Sequence, residues 1–162
     1  MIVLKQEDLG DQAGMERAFR SYFIDAAREY DGTFNVMLRC GLCECSYEES
    51  TVVLCLDPQS WMANPMGILH GGVTASLLDM TMGLLCRYCS GGRMTPTISM
   101  DVQYLRSGPL DRRLYIRAEL TKRGMGVCYA TGSMWAEGAR EKLLATSSGA
   151  YYVTKAKPSA GT

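Results

Sequence analysis

Residues 73–88 (VTASLLDMTMGLLCRY) constrain this chain more than any other segment. At about 100° per residue on a helical wheel, Val73, Leu77, Leu78, Met80, Met82, Leu84, Leu85 and Tyr88 form an apolar arc wider than half the circumference. A helix apolar over so wide an arc is enclosed by the fold rather than laid on its surface. The remaining stripe is Ala75, Ser76, Asp79, Gly83 and Cys86, small residues around one carboxylate. Asp is a poor helix former and is seldom buried alone. Two readings fit: a solvated face, or a face kept narrow so that another backbone, a ligand or a partner subunit can come close. A solvated stripe would normally carry Lys, Glu or Gln.

Around this helix the sequence reads mainly as strands. Short runs at 42–47 and 51–56 flank Glu48-Glu49-Ser50, and Asp57-Pro58 closes the second. After Gly91-Gly92, residues 97–106 alternate, with Ile98, Met100, Val102 and Tyr104 on one face. Leu114, Ile116, Ala118 and Leu120 alternate with polar neighbours, and runs at 127–137 and 143–153 follow. Ahead of them all, residues 11–30 place Met15, Ala18, Phe19, Tyr22, Phe23, Ala26 and Ala27 at helical spacing, ended by Asp31-Gly32. The expected fold is α+β: an antiparallel sheet wrapped around one long central helix, with an extra N-terminal helix. A helical extension at 1–32, a main domain at 33–154 and a flexible tail at 155–162 follow from these boundaries.

A chain of 162 residues with 47% hydrophobic and 21% charged residues suits one domain with one core. Its zero formal net charge argues against nucleic acid as a partner, since a nucleic-acid binder needs a basic excess. No apolar run is long enough to span a bilayer, and the first residues are acidic where a targeting peptide is basic. No membrane association and a cytoplasmic location are therefore expected. The seven cysteines fit reduced thiols packed as small hydrophobes. Cys40-x-x-Cys43-x-Cys45 and Cys86-x-x-Cys89 have short spacings but lack a convincing four-ligand zinc set, so no metal is expected.

His70-Gly71-Gly72 stands where the central helix begins. The first N–H groups of a helix have no intrahelical acceptor and carry the positive end of its dipole. Glycine leaves them accessible, so this turn can serve as an oxyanion hole. Asp79 lies two turns on, about 12 Å by helix rise, too far along the axis to serve its own helix's N–H groups. Two such helices running antiparallel would bring Asp79 of one chain towards Gly71 of the other, which implies a homodimer.

Asn64-Pro65-x-Gly67-x-x-His70-Gly71-Gly72, six residues and then Asp79 resembles the hotdog thioesterases of the PaaI-like (phenylacetic acid degradation-related) group. The segment ending Tyr104-Leu105-Arg106 is similar to that family's central strand, and the likeness runs over about residues 33–153. The resemblance implies a hotdog fold, hydrolysis of an acyl-CoA thioester, and coenzyme A as part of the substrate with no other cofactor. Residue by residue, it implies that the Gly71 N–H polarises the thioester carbonyl and that Asp79 acts as general base or nucleophile. Asn64 would hold the attacking water or the substrate, Thr97 would assist the carboxylate, and His70 would support the helix start and contact the thioester. Gly72, Arg106, Lys122, Arg123 and Gly124 occupy places where similar enzymes meet coenzyme A, with Arg112 and Arg113 as further cations. It also implies assembly of the homodimers into a tetramer.

Simpler roles stand beside each. Asn64-Pro65 is also turn chemistry, Thr97 a β-former, His70 a structural histidine, and Gly124-Met125-Gly126 an ordinary hairpin. Met62, Met66, Met80, Met82 and Met94 read either as a deformable acyl pocket or simply as core. The competing functions are a non-catalytic acyl-CoA sensor or binding protein and a hotdog dehydratase. The dehydratase would set its histidine in a Pro-rich context that is absent here.

Overall fold

The computed structural model describes residues 4–155, apart from the side chain of Gln6. The N-terminal helix α1 covers Gln12–Glu29, started by Asp11, whose carboxylate accepts from the Gly14 N–H at 2.7 Å. Met15, Ala18, Phe19 and Ala26 are buried as their spacing predicts, whereas Ala27 faces solvent. A single turn, α2 (Phe34–Met37), follows; its four residues are too few for a periodic signal. Most of the 155–162 tail, residues 156–162, lies outside the described residues.

The strands are β1 (Gly41–Ser46), β2 (Thr51–Leu56), β3 (Thr97–Tyr104), β4 (Leu114–Arg123), β5 (Val127–Ala136) and β6 (Ala145–Tyr152). They form one antiparallel sheet in the order β1-β2-β4-β5-β6-β3. The central helix α3 runs over Gly71–Cys89, starting two residues before the apolar run because the glycines form its first turn. Its Leu77, Leu78, Met82 and Leu85 are fully buried against Leu54, Leu114, Ile116, Met134 and Ala145 on the inner face of the sheet. Leu114, Ile116 and Ala118 all point inward, as their alternation predicts.

β3 departs from the simple pattern. Among the described residues it pairs only with β6, and it lies at the sheet edge with most of its residues exposed. A register shift between Thr97 and Ser99 inserts one extra residue opposite β6. Strict alternation would put Thr97 on the face opposite Met100 and Val102. The bulge turns it inward, opposite the buried Tyr151, which is the usual effect of an extra residue in one strand. Ile98, grouped by alternation with the half-buried Met100 and Val102, is 55% exposed.

Candidate active site

The loop that delivers α3 is held by its own sequence. Asn64, Pro65 and Gly67 form a β-turn in which Gly67 N–H donates to the Asn64 carbonyl at 2.9 Å, and Gly67 takes a left-handed φ of 74°. The Asn64 side-chain oxygen accepts from the N–H groups of Met66 at 2.9 Å and Ile68 at 3.3 Å. That oxygen is therefore spent on the turn, leaving only the side-chain NH2 to face a ligand. The loop is pinned at its far end, where Leu69 N–H donates to Gly108 O at 2.9 Å. Any side chain at Gly108 would meet Leu69 Cβ at 2.8 Å, so glycine is what lets the two loops touch.

His70 is the N-cap of α3. Its Nδ1 accepts from the Gly72 N–H at 2.9 Å, which places the proton of the neutral ring on Nε2. One of the helix's orphan donors is thereby satisfied. The N–H of Gly71 makes no hydrogen bond among the described residues. Of the two glycines after the histidine, the first thus offers its N–H and the second does not. Tyr104, at the end of β3, donates its hydroxyl to Gly71 O at 3.1 Å and lays its ring beside Gly71. A cleft of about 380 Å³ opens here, lined by Ile68, Thr74, Tyr104 and Arg106 as well as Gly71.

Asp79 is partly buried midway along α3, and two hydroxyls converge on its Oδ1. Thr97 Oγ1 donates at 2.8 Å and Tyr151 OH at 3.1 Å. These residues are paired across β3 and β6, so the sheet register itself sets the carboxylate. Tyr151 OH also lies 3.3 Å from Asp79 O. It has one proton, and the nearer, charged oxygen is the stronger acceptor. Burial first, and then the adjacent carboxylate, push the Tyr151 hydroxyl well above the ordinary tyrosine value, so it stays a donor. No donor reaches Oδ2 among the described residues.

The small-residue stripe around Asp79 is only partly open. Tyr151 packs on Gly83, where an added Cβ would stand 3.3 Å from its ring, and Cys86 is fully buried. The glycine makes room for the tyrosine that holds the carboxylate. Tyr151 was invisible as a site residue because it is seventy-two positions from Asp79 and reads as one more strand aromatic. Tyr104 stands out in the sequence only as part of the Tyr104-Leu105-Arg106 segment.

The candidate coenzyme A residues separate into two groups. Arg106 lies beside Gly71, its Nη1 donating to Leu143 O at 2.8 Å. Arg123 instead lines a cleft with Tyr88, Cys89 and Gly91 at the far end of α3, roughly 28 Å away by helix rise. Lys122 and Gly124 adjoin it in the β4–β5 hairpin. Gly124 N–H donates to Val127 O at 2.8 Å, and a Cβ there would strike that same oxygen at 2.8 Å. The tight turn alone accounts for that glycine. Arg113 is engaged by Asp57 through two hydrogen bonds of 2.9 and 2.8 Å.

The methionines do not gather into a pocket. Met62, Met80 and Met82 are core, whereas Met66 and Met94 are exposed. All seven cysteines are free thiols. Burial pushes Cys40 up to about 12 and Cys89 up to about 11, so these thiols stay protonated. No cluster of three or more His, Cys, Asp or Glu capable of holding a metal occurs among the described residues. No helix among them is long and apolar enough to cross a membrane.

Comparison with known proteins places this geometry in context. Residues 66–142 match the family model described as Thioesterase superfamily. Acyl-coenzyme A thioesterase 13 of Homo sapiens and of Pongo abelii are each 33% identical over 91 residues, half of this chain. The alignment spans 64% of the length of those relatives. Zebrafish thioesterase superfamily member 2 superposes with a TM-score of 0.75 at 22% identity, covering 86% of this chain and 98% of that one. A hypothetical thioesterase from Streptococcus pneumoniae, solved with coenzyme A, gives 0.64 at 22% identity, over 74% of this chain and 91% of that one. Residues 66–142 are thus similar to the thioesterase superfamily, and the fold is the hotdog of the solved neighbours.

Proposed function

We propose that this protein hydrolyses acyl-CoA thioesters to a free acid and coenzyme A, at a site shared between two protomers. The observation that carries the reading is the Asp79 carboxylate, with Oδ1 fixed by Thr97 and Tyr151 and Oδ2 without a donor among the described residues. A carboxylate oriented through one oxygen keeps the other for chemistry. In the general-base route, Oδ2 takes a proton from water as the water attacks the thioester carbonyl. The Gly71 N–H of the partner protomer receives the developing oxyanion. Collapse of the tetrahedral intermediate expels the coenzyme A thiolate, which leaves as the thiol after taking up a proton. The nucleophilic route uses the same placement, with Oδ2 attacking first and water cleaving the resulting anhydride. Label on Asp79 after single turnover in ¹⁸O-water identifies the nucleophilic route with water attacking the Asp79 carbonyl, because general-base catalysis places the label only in the product acid. The Asn64 NH2 and His70 Nε2–H are the further donors assigned to substrate or water.

Two features support the dimer. Gly71 and Asp79 lie about 12 Å apart along one helix, which suits two antiparallel helices better than one. β3 is an edge strand with Ile98 55% and Tyr104 57% exposed, and such edges pair readily with a second copy. Assembly of dimers into a tetramer is part of the same reading, as are the absence of a metal or separate cofactor and a reducing, cytoplasmic setting for the free thiols. The relatives named for acyl-coenzyme A and the neighbour solved with coenzyme A support the choice of substrate. Thiol release from a panel of acyl-CoAs, by the wild type and by Asp79→Asn, tests the reading. Hydrolysis unchanged in Asp79→Asn would remove the carboxylate from the mechanism. Tight acyl-CoA binding without any turnover would favour a sensor instead.

A further inference from the structure

The Gly71 N–H belongs to the peptide that joins His70 to Gly71, and a second glycine follows. Neither glycine has a side chain to fix it, and glycine backbone is otherwise free to turn. The fold supplies the restraint. The carbonyl of the His70–Gly71 peptide accepts from the Thr74 N–H at 3.1 Å. The next peptide, Gly71–Gly72, is held at both ends. Its N–H donates to His70 Nδ1 at 2.9 Å, and its carbonyl accepts from the Tyr104 hydroxyl at 3.1 Å. With both peptides held, the direction of the Gly71 N–H is set. His70 and Thr74 belong to the cap and first turn of α3, whereas Tyr104 is brought in by β3.

Tyr104 stands on an anchored piece of chain. Just after it, the N–H groups of Leu105 and Arg106 both donate to Leu144 O, at 2.8 and 3.0 Å. Arg106 Nη1 adds a bond to Leu143 O at 2.8 Å. Further on, Gly108 O accepts from the Leu69 N–H at 2.9 Å. The segment leaving β3 thus meets the entry to α3 on both sides of His70, at Leu69 and at Gly71. Tyr104 is 57% exposed, so burial in the core does not account for its place against the helix.

We infer that Tyr104 is a positioning residue for the oxyanion donor: its hydroxyl holds the Gly71–Gly72 peptide so that the Gly71 N–H points at the thioester carbonyl. This rests on the thioesterase reading above, in which that N–H receives the oxyanion. Tyr104 acts through Gly71 and not on the reacting atoms. A misplacement of about 1 Å can cost on the order of a hundredfold in rate, and releasing one neutral hydrogen bond permits part of that.

Tyr104→Phe keeps the ring and removes the hydroxyl. Its kcat should fall about tenfold with KM unchanged, the pattern of an interaction that counts in the transition state. The same substitution is then made in Gly71→Pro, which has no donor. Proline suits the first position of a helix, and a Cβ at residue 71 meets the Tyr104 ring at an ordinary 3.5 Å, so Tyr104 keeps its place. If Tyr104 acts through the Gly71 N–H, Tyr104→Phe should leave the Gly71→Pro rate unchanged. An equal loss in both backgrounds, or no loss in the wild type, would overturn the inference while leaving the donor reading intact. A Gly71→Pro protein with the wild-type rate would overturn the donor reading itself, and this inference with it. Backbone order parameters from ¹⁵N relaxation read the restraint without turnover. Those of Gly71 and Gly72 should fall in Tyr104→Phe while the rest of α3 stays rigid. Unchanged values at both glycines would overturn the inference even in a protein that cleaves no thioester.

Discussion

The two parts of the candidate site sit on one helix and are built in opposite ways. At the start of α3 the Gly71 N–H is presented by neighbours in sequence: the Asn64 turn, the His70 cap and the glycine itself. Tyr104 and the Gly108 carbonyl that pins Leu69 come from elsewhere. Midway along α3, Asp79 is set by residues distant in the chain, Thr97 and Tyr151, which reach it because β3 and β6 pair in one register. The first region is local and open, and the second is tertiary and half-buried. A donor that needs only a free N–H can be made by a loop and a helix end. A carboxylate that needs a fixed orientation requires rigid strands on either side.

Breaking each region should therefore give a different signature. The largest effect is expected at Asp79→Asn, which keeps the shape and removes the basic oxygen. Thioester hydrolysis should fall on the order of a thousandfold, with little change in melting temperature. Gly71→Pro should cost roughly a hundredfold, because it deletes the N–H donor. The fold should survive, since proline is favoured at the first position of a helix. His70 also already has a φ of −65° and ψ of 135°, compatible with a following proline. Mixing the two inactive variants sharpens the contrast. If the site is shared, mixed dimers carry one intact site, and activity should return to about a quarter of the wild type. No recovery, with mixed dimers demonstrated, would confine each site to one chain.

Smaller effects should distinguish tertiary from local support. Tyr151→Phe removes a buried donor to a charged oxygen, so both kcat and stability should drop, the latter by about 1.5–3 kcal/mol, measured by chemical denaturation. His70→Ala should cost about 1 kcal/mol through loss of the cap, and His70→Asn should restore it. If His70→Asn regains stability without regaining rate, His70 touches the substrate. If both return, its role is confined to the cap.

How much was legible followed the same division. The wheel of residues 73–88 revealed an enclosed helix, because a 3.6-residue period is a local property of the chain. Strand alternation in 114–120 fixed which side chains of β4 face inward for the same reason. Alternation failed at Thr97, because a bulge depends on the partner strand and leaves no mark on the strand's own pattern. It gave no hint of Tyr151, whose hydroxyl matters only once β6 lies over Gly83. The resemblance singled out the Gly71 N–H, but the spacing of the motif carries no sign that the His70 ring occupies the N–H of Gly72.

The sequence by itself determined a central buried helix inside an antiparallel sheet, a glycine turn at its start, and one carboxylate on a stripe of small residues. These are matters of periodicity and backbone freedom, settled within a few residues. Only the tertiary structure decided which oxygen of Asp79 is held and by what, and which cation shares a cleft with Gly71. Such choices depend on strand register and loop contact, which bring together residues that carry no trace of one another along the chain.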